Sequence, residues 1–389
     1  MKIFWRTLSI ALVLFTMATG IAAAAGLDEL PQKLASAYQG LDPDQPIGPS
    51  PYRDFRAKKA PPWTIGYASS YAGNTWRAGA MNRLMNVLVP KYKKAGLVRD
   101  VIITQSDLKD AVQIQQMRQL VDQGVDAIII CCPNVTALNQ TIRYAYDKGV
   151  PVFTYSGYVT SPFAINCSAN YTDGGYEIAK WMAKEIGQKG NVLLVSGIPG
   201  AASSESYDNG VKKALAEYPN IKLIGQVAGM WTDQVAQTEV QKFLATHPEK
   251  IDGIIAQSAC ETGVLRAMLQ SGRPMVPITL GGEAGCACYW RQNKGWISSG
   301  FHIWPPGDEM EMAFDALIRT LQGQGPKIQS FIRKAWFFNY QEVAAALPEN
   351  CDMSSQEWLE PGAAVWFPAS MADGFFLRPQ DPLKWKPKK

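Results

Sequence analysis

From Trp63 onward, short runs of β-branched and apolar residues alternate with amphipathic helical patterns, and this alternation constrains the chain more than any other feature. The strand candidates are WTIGYAS, VRDVIIT, VDAIIICC, VPVFTYS, NVLLVSG, IKLIGQV, IDGIIAQ and VPITLGG. Their unbroken apolar character suits strands covered on both faces. Between them Ala111, Ile114, Met117 and Val121 recur at helical spacing before Gly124, and Leu138, Ile142 and Ala145 do so before Gly149. Ala236, Val240, Phe243 and Leu244 repeat the pattern before the HPEK turn. Glycine suits the left-handed residue that ends a helix. Strand–helix alternation demands parallel sheets with right-handed crossovers, hence an α/β fold.

Eight such units exceed one comfortable open sheet. The polar stretch INCSANYTDGG, from Ile165 to Gly175, breaks the rhythm halfway and reads as a crossover between two similar lobes. A closed eight-unit barrel also has eight strand–helix repeats but does not need that break. The ends differ from this middle. Residues 26–62 are Pro-rich and polar and read as an extended arm. From Ala335 the periodicity gives way to a segment rich in Pro and large rings, among them Trp336, Trp358, Trp366, Phe375 and Phe376. So many rings are not left in water, so this segment reads as a tail wrapped over the lobes.

Lys2 and Arg6, the apolar run Leu8 to Phe15 and the small residues Ala22 to Ala25 form the three parts of a secretory signal, which places the mature chain in the periplasm. Cleavage after Ala25 removes two basic residues and no acid, lowering a formal charge that is only +4. No field for nucleic acid is implied. Seven Cys is an odd number for an exported chain, and their spacing is not that of a small disulfide scaffold. Cys131 and Cys132 read as buried small residues. Cys286-x-Cys288 could hold a metal or close a strained ring, but the chain has only two His, so structural thiols or a disulfide suit the cysteines better. No metal and no cofactor is expected.

In open parallel sheets ligands bind beyond the carboxyl ends of the strands. The unusual polar and aromatic residues of this chain fall there: SSYAGNTWR, Pro133-Asn134, Tyr155-Ser156-Gly157, GIPGAASSESYDNG, GMWTDQ, QSACE and GGEAGCACYW. Loops favour Gly, Ser and Asn in any case. Trp76 and Trp231 are harder to explain that way, although packing alone accounts for either one equally well. No G-x-S-x-G elbow, H-E-x-x-H, Walker loop or G-x-G-x-x-G fingerprint is present, so catalysis is not expected.

The stretches IGYASSYAGNTWRAGAMNRL, QIQQMRQLVDQGVDAIIICCPN, YDKGVPVFTYSG, NYTDGGYEIAKWMAKEI, VSGIPGAASSESYDNG and HPEKIDGIIAQSACETGVLRAML give Trp63 to about Lys334 a resemblance to periplasmic sugar-binding proteins of the ribose/galactose type, the solute receptors of ABC importers. The resemblance implies two doubly wound parallel-sheet lobes joined by a three-stranded hinge, a monomer that closes over a small-molecule ligand without chemistry and delivers it to a membrane permease. On this basis residues 63–167 with 304–331 form one lobe, residues 168–303 with 332–345 the other, and residues 346–389 an extension. It also implies ligand positions at Tyr71, Asn74, Trp76, Arg77, Asn134, Tyr155, Ser156, Tyr207, Trp231, Gln257, Glu283, His302 and Trp304. Two positions depart from the ribose pattern. Ser156-Gly157 replaces an Asp-Arg pair, and Tyr207 stands where a second Arg is expected, so a different polyol or a part-aromatic solute fits better than ribose. Glu283 and Arg77 are either the remaining charged anchors or partners of each other.

Overall fold

The computed structural model describes residues 26–131, 134–293, 296, 301–338 and 340–386; the secretory-signal reading of residues 1–25 lies outside them. Strands β1 (Trp63–Ser69), β2 (Val98–Gln105), β3 (Ala127–Cys131), β4 (Val152–Tyr155) and β5 (Ala164–Ala169) belong to the first lobe, and β6 (Gly190–Ser196), β7 (Ile221–Ala228) and β8 (Gly253–Ala256) to the second. After β9 (Phe301–Ile303) the chain returns through helix Pro306–Leu321 to β10 (Ser330–Arg333) and β11 (Trp336–Phe338). The first sheet runs β10-β5-β4-β3-β1-β2 and the second β7-β6-β8, with every pair in both parallel. β9 and β11 pair antiparallel as a separate ribbon.

The two-sided burial expected of the apolar runs is visible residue by residue. Ile129 and Cys131 join Leu84 and Phe314 in one apolar cluster, whereas Ile128 and Ile130 join Met117, Leu120 and Ile142 in another. In the second lobe Val192 and Leu194 face Ile178 and Met182, while Leu193 and Val195 face Val240 and Val264. A strand with helices on both faces has no polar side. The helices Tyr171–Glu185 and Ala202–Leu215 approach so closely that a Cβ on Gly175 would lie 2.2 Å from the Tyr207 carbonyl oxygen. That approach positions Tyr207 at the mouth between the lobes.

Three expectations need correction. VPITLGG forms isolated bridges, one of them between Ile254 and Ile278, rather than a strand: the Thr279 hydroxyl takes the Ala256 N–H at 2.8 Å in place of the backbone carbonyl that would continue the ladder with β8. The stretch Ile165–Gly175 is regular structure rather than a polar break, yet it is where the chain passes from the first sheet, in β5, to a helix that packs on the second and is capped by the Asn170 side chain. The arm is not extended; it folds into short turns that bury Leu34, Tyr38 and Tyr52, and Tyr38 donates to the Ser330 carbonyl. The preferred reading of the cysteines, thiols and a disulfide, is the one seen: Cys288 is bonded to Cys351, and Cys286 is a buried free thiol.

The C-terminal segment packs in two stages. Val343, Leu347, Cys351 and Leu359 lie against Leu265, Leu280 and Ala287 of the second lobe. Trp366, Phe375 and Phe376 then pack into the core of the first, where Phe375 stacks on Phe331 at 4.4 Å. Between these stages Trp358 donates to the Thr75 hydroxyl at 2.9 Å, and Glu360 pairs with Arg83 at 2.8 Å.

Candidate functional site

The site is built from the ends of strands and the first turns of helices. Asn74 caps helix Thr75–Asn82 by accepting the Arg77 N–H at 2.9 Å, which places Trp76 and Arg77 in the first turn. The Trp76 ring stacks on Tyr155 at 6.0 Å and its indole N–H donates to the Trp304 carbonyl at 2.6 Å. The Arg77 guanidinium lies 4.4 Å over the Trp76 ring and donates to the Ser156 hydroxyl at 3.4 Å. Such a cation over an aromatic face is held in position as well as attracted.

The facing wall comes from the second lobe. Tyr207 projects from its helix, and Trp231 sits in a left-handed turn with φ of 50°. The Trp231 indole donates to Gln257 at 2.8 Å, and the Gln257 amide donates in turn to Asp208 at 2.8 Å. Trp304 closes the back of the space, 4.5 Å from the Tyr171 ring and edge-on to Tyr207 at 6.4 Å. These groups surround about 440 Å³ of empty space, counting the open mouth, and the centre of a water molecule can range over about 40 Å³ of it. The dimensions suit one small ring rather than an extended chain. Asn74 donates across the mouth to the Trp231 carbonyl at 2.9 Å, and the Tyr71 and Thr232 hydroxyls meet at 3.1 Å, so the lobes are closed on each other.

Of the residues singled out in the sequence, Asn74, Trp76, Arg77, Ser156, Tyr207, Trp231, Gln257 and Trp304 line this cavity. Tyr155 stands behind Trp76 with its hydroxyl 2.7 Å from that of Tyr67, a core position. Tyr71 spans the lobes outside the cavity. Asn134 is exposed and caps its own turn through the Thr136 and Ala137 N–H groups. Glu283 lines a neighbouring groove, where its oxygens accept from Thr75 at 3.2 Å and Thr262 at 3.0 Å. The side chain of His302 lies outside the described structure. Tyr171, Ser203 and Ser258 also line the cavity and were not singled out. Ser203 and Ser258 fall in loops already marked as polar, while Tyr171 was hidden in the stretch read as a crossover.

Behind the cavity a chain of polar contacts leads inward. The Ser156 hydroxyl lies 3.3 Å from that of Tyr171, which donates to the Glu309 carboxylate at 3.1 Å. Burial pushes the Glu309 carboxyl up to about 8, an effect raised further by Cys131 and only partly offset by Tyr171 and Arg77. An unfolded glutamate titrates near ~4.3. Between those values the native state holds a proton that the unfolded chain has released, so stability falls as pH rises through this window and levels off above it. Glu309→Gln should flatten the slope by up to about 1.4 kcal/mol per pH unit. Urea unfolding across the window measures this, and an unchanged slope would assign the titration to another group.

Residues 65–325 match the family described as the periplasmic binding protein domain, and the chain belongs to that family. It is 28% identical over 189 residues to a xylitol-binding protein of Mycolicibacterium smegmatis, covering 48% of this chain and 54% of that one. It is likewise 28% identical over 190 residues to a galactofuranose-binding protein of Escherichia coli, covering 48% of this chain and 58% of that one. The chain thus spans little more than half the length of either relative. An ABC transporter solute-binding protein from Thermobispora bispora has the same fold, with a TM-score of 0.70 at 23% identity, covering 78% of this chain and 93% of that one. The architecture is that of a type I periplasmic binding protein.

Proposed function

We propose that this protein is an exported receptor that captures a sugar or sugar-like small molecule between its lobes and presents it to the permease of an ABC importer. The observation that carries this reading is the interlobe cavity, with indole and phenol faces for walls and amide and hydroxyl groups at its rim. A sugar ring carries C–H groups on its faces and hydroxyls on its edge, which aromatic walls and a polar rim complement. Only the closed arrangement lets both lobes touch one ligand, so binding shifts an open–closed equilibrium and the cargo leaves unchanged. The names of the relatives support the class, as do solved structures of similar fold with bound D-allose or D-arabinose. In this reading residues 1–25 direct export, the receptor acts as a monomer, and it turns nothing over.

A sensory role, with the C-terminal segment as a docking surface, has less support because Trp366, Phe375 and Phe376 are spent inside the protein. A thermal-shift screen across sugars, polyols, nucleosides and aromatic acids tests the receptor reading. A cognate solute at a hundred times its Kd should add about 2.7 kcal/mol of stability and raise the melting temperature. A folded protein that responds to none of them would sink it.

A further inference from the structure

We infer that the C-terminal segment is a fourth connection between the lobes, drawn without slack beside the cavity, and that it limits how far they open. The inference rests on the receptor reading, in which opening admits the solute and closure holds it. Residues 340–386 lie beyond the 65–325 that match the family, so this connection is an addition to the matched domain. The chain has already passed between the lobes three times: after β5, between helices Ala284–Gln292 and Pro306–Leu321, and between β10 and Val343.

The fourth passage falls between two neighbouring residues. Leu359 donates its N–H to the Gly282 carbonyl at 2.7 Å, and the Glu357 carbonyl accepts the Ala284 N–H at 2.9 Å, which fixes this stretch to the second lobe. The next residue, Glu360, belongs to the first lobe. Its carboxylate accepts the Gly307 N–H at 2.6 Å, in the first turn of helix Pro306–Leu321, and pairs with Arg83 at 2.8 Å. The segment is anchored further out on both sides, by the Cys288–Cys351 bond in one lobe and by buried Trp366, Phe375 and Phe376 in the other. Consecutive α-carbons are only about 3.8 Å apart, so no free chain lies between the two sets of bonds. The lobes can part here only by pivoting at this point or by breaking those bonds. The crossing also touches the site. Trp358 bridges to Glu283 through its backbone and donates its indole N–H to the Thr75 hydroxyl at 2.9 Å, and Thr75 immediately precedes Trp76 of the cavity wall. A ligand's apparent affinity is reduced by the fraction of protein not competent to hold it, so a restraint that keeps the empty lobes near closure raises affinity without any new ligand contact.

Inserting Gly-Ser-Gly-Ser-Gly-Ser between Leu359 and Glu360 tests this, because both anchors keep their packing and only slack is added. Nitroxide labels at Lys109→Cys and Thr238→Cys, exposed positions on the two lobes, report the interlobe distance by double electron–electron resonance with no ligand present. The free thiols described are buried, so labelling is selective. Six Gly/Ser residues span about 13 Å r.m.s., so the insertion should lengthen the mean distance by about 5–10 Å relative to the uninserted protein and broaden its distribution. Melting curves establish that the inserted protein folds. If it does not, Trp358→Phe combined with Glu360→Ala removes the side-chain ties to Thr75, Arg83 and Gly307 and should move the distance the same way. Equal distances with and without slack would overturn the restraint. If both distributions are broad, the receptor reading stands without it. If both are narrow and closed, the lobes do not part even when freed, and the opening that the receptor reading requires falls as well.

Discussion

Removing the disulfide with the pair Cys288→Ala and Cys351→Ala should cost the protein about 2–4 kcal/mol and lower its melting temperature by about 4–10 °C. The bond joins helix Ala284–Gln292 to the C-terminal segment across 63 residues of sequence, and a loop of that length restricts the unfolded chain by about 4 kcal/mol in the chain-entropy account. Other ties remain when it is cut. Arg291 donates to the carbonyls of Pro348 and Glu349, and Arg266 to that of Met353, so the segment should loosen rather than leave. The loss should therefore fall first on the outer cluster of the second lobe, around Leu280, Val343 and Leu347. Calorimetry of the oxidised, reduced and doubly substituted proteins measures it. Equal melting of all three would show that packing alone holds the segment.

The two-lobed core was legible because a strand buried on both faces leaves an unmistakable apolar run, as Ala127–Cys131 does. Limits appeared where a side chain takes over a backbone role. Thr279 ends a ladder with its hydroxyl, and no periodicity announces that substitution. The pairing of Cys288 with Cys351 was equally invisible, since the nearer Cys286 offered a spacing argument and the true partner lay in a segment without periodicity. In the site, loop position and the family resemblance pointed to Trp76, Arg77, Trp231 and Gln257, and these four line one space. It could not separate Tyr155, the last residue of its strand and turned into the core, from Ser156, the next one and turned to the cavity. The strand ends between them and Ser156 turns away with φ of 55°, so one residue decides between packing and binding. Asn134 follows β3 and Glu283 follows the VPITLGG run, but each spends its side chain on a neighbour: the first on its own turn, the second on two threonine hydroxyls.

Trp76→Ala should damage folding and binding together, whereas Trp231→Ala should act mainly on binding. From loop position alone both rings would be expendable to the fold, with binding weakened by about 1–3 kcal/mol each. The structure separates them. Trp76 is 6% exposed, belongs to the main apolar cluster, stacks on Tyr155 and donates to the Trp304 carbonyl at the back of the cavity. Its removal opens a cavity in the core, deletes a hydrogen bond and takes away the face on which Arg77 rests, a loss of about 3–5 kcal/mol in stability in addition to the lost ligand contact. Trp231 is half-buried at the edge of its lobe, and its indole donates to Gln257, whose amide is held from behind by Asp208. Its left-handed backbone suits alanine no worse than tryptophan, so the unliganded protein should lose about 1 kcal/mol or less. Melting of the two unliganded variants, set beside ligand titration of each, separates these roles. A Trp76→Ala protein that melts like wild type would show that the stack on Tyr155 contributes nothing to the core, and the assignment of that ring as both wall and foundation would fail.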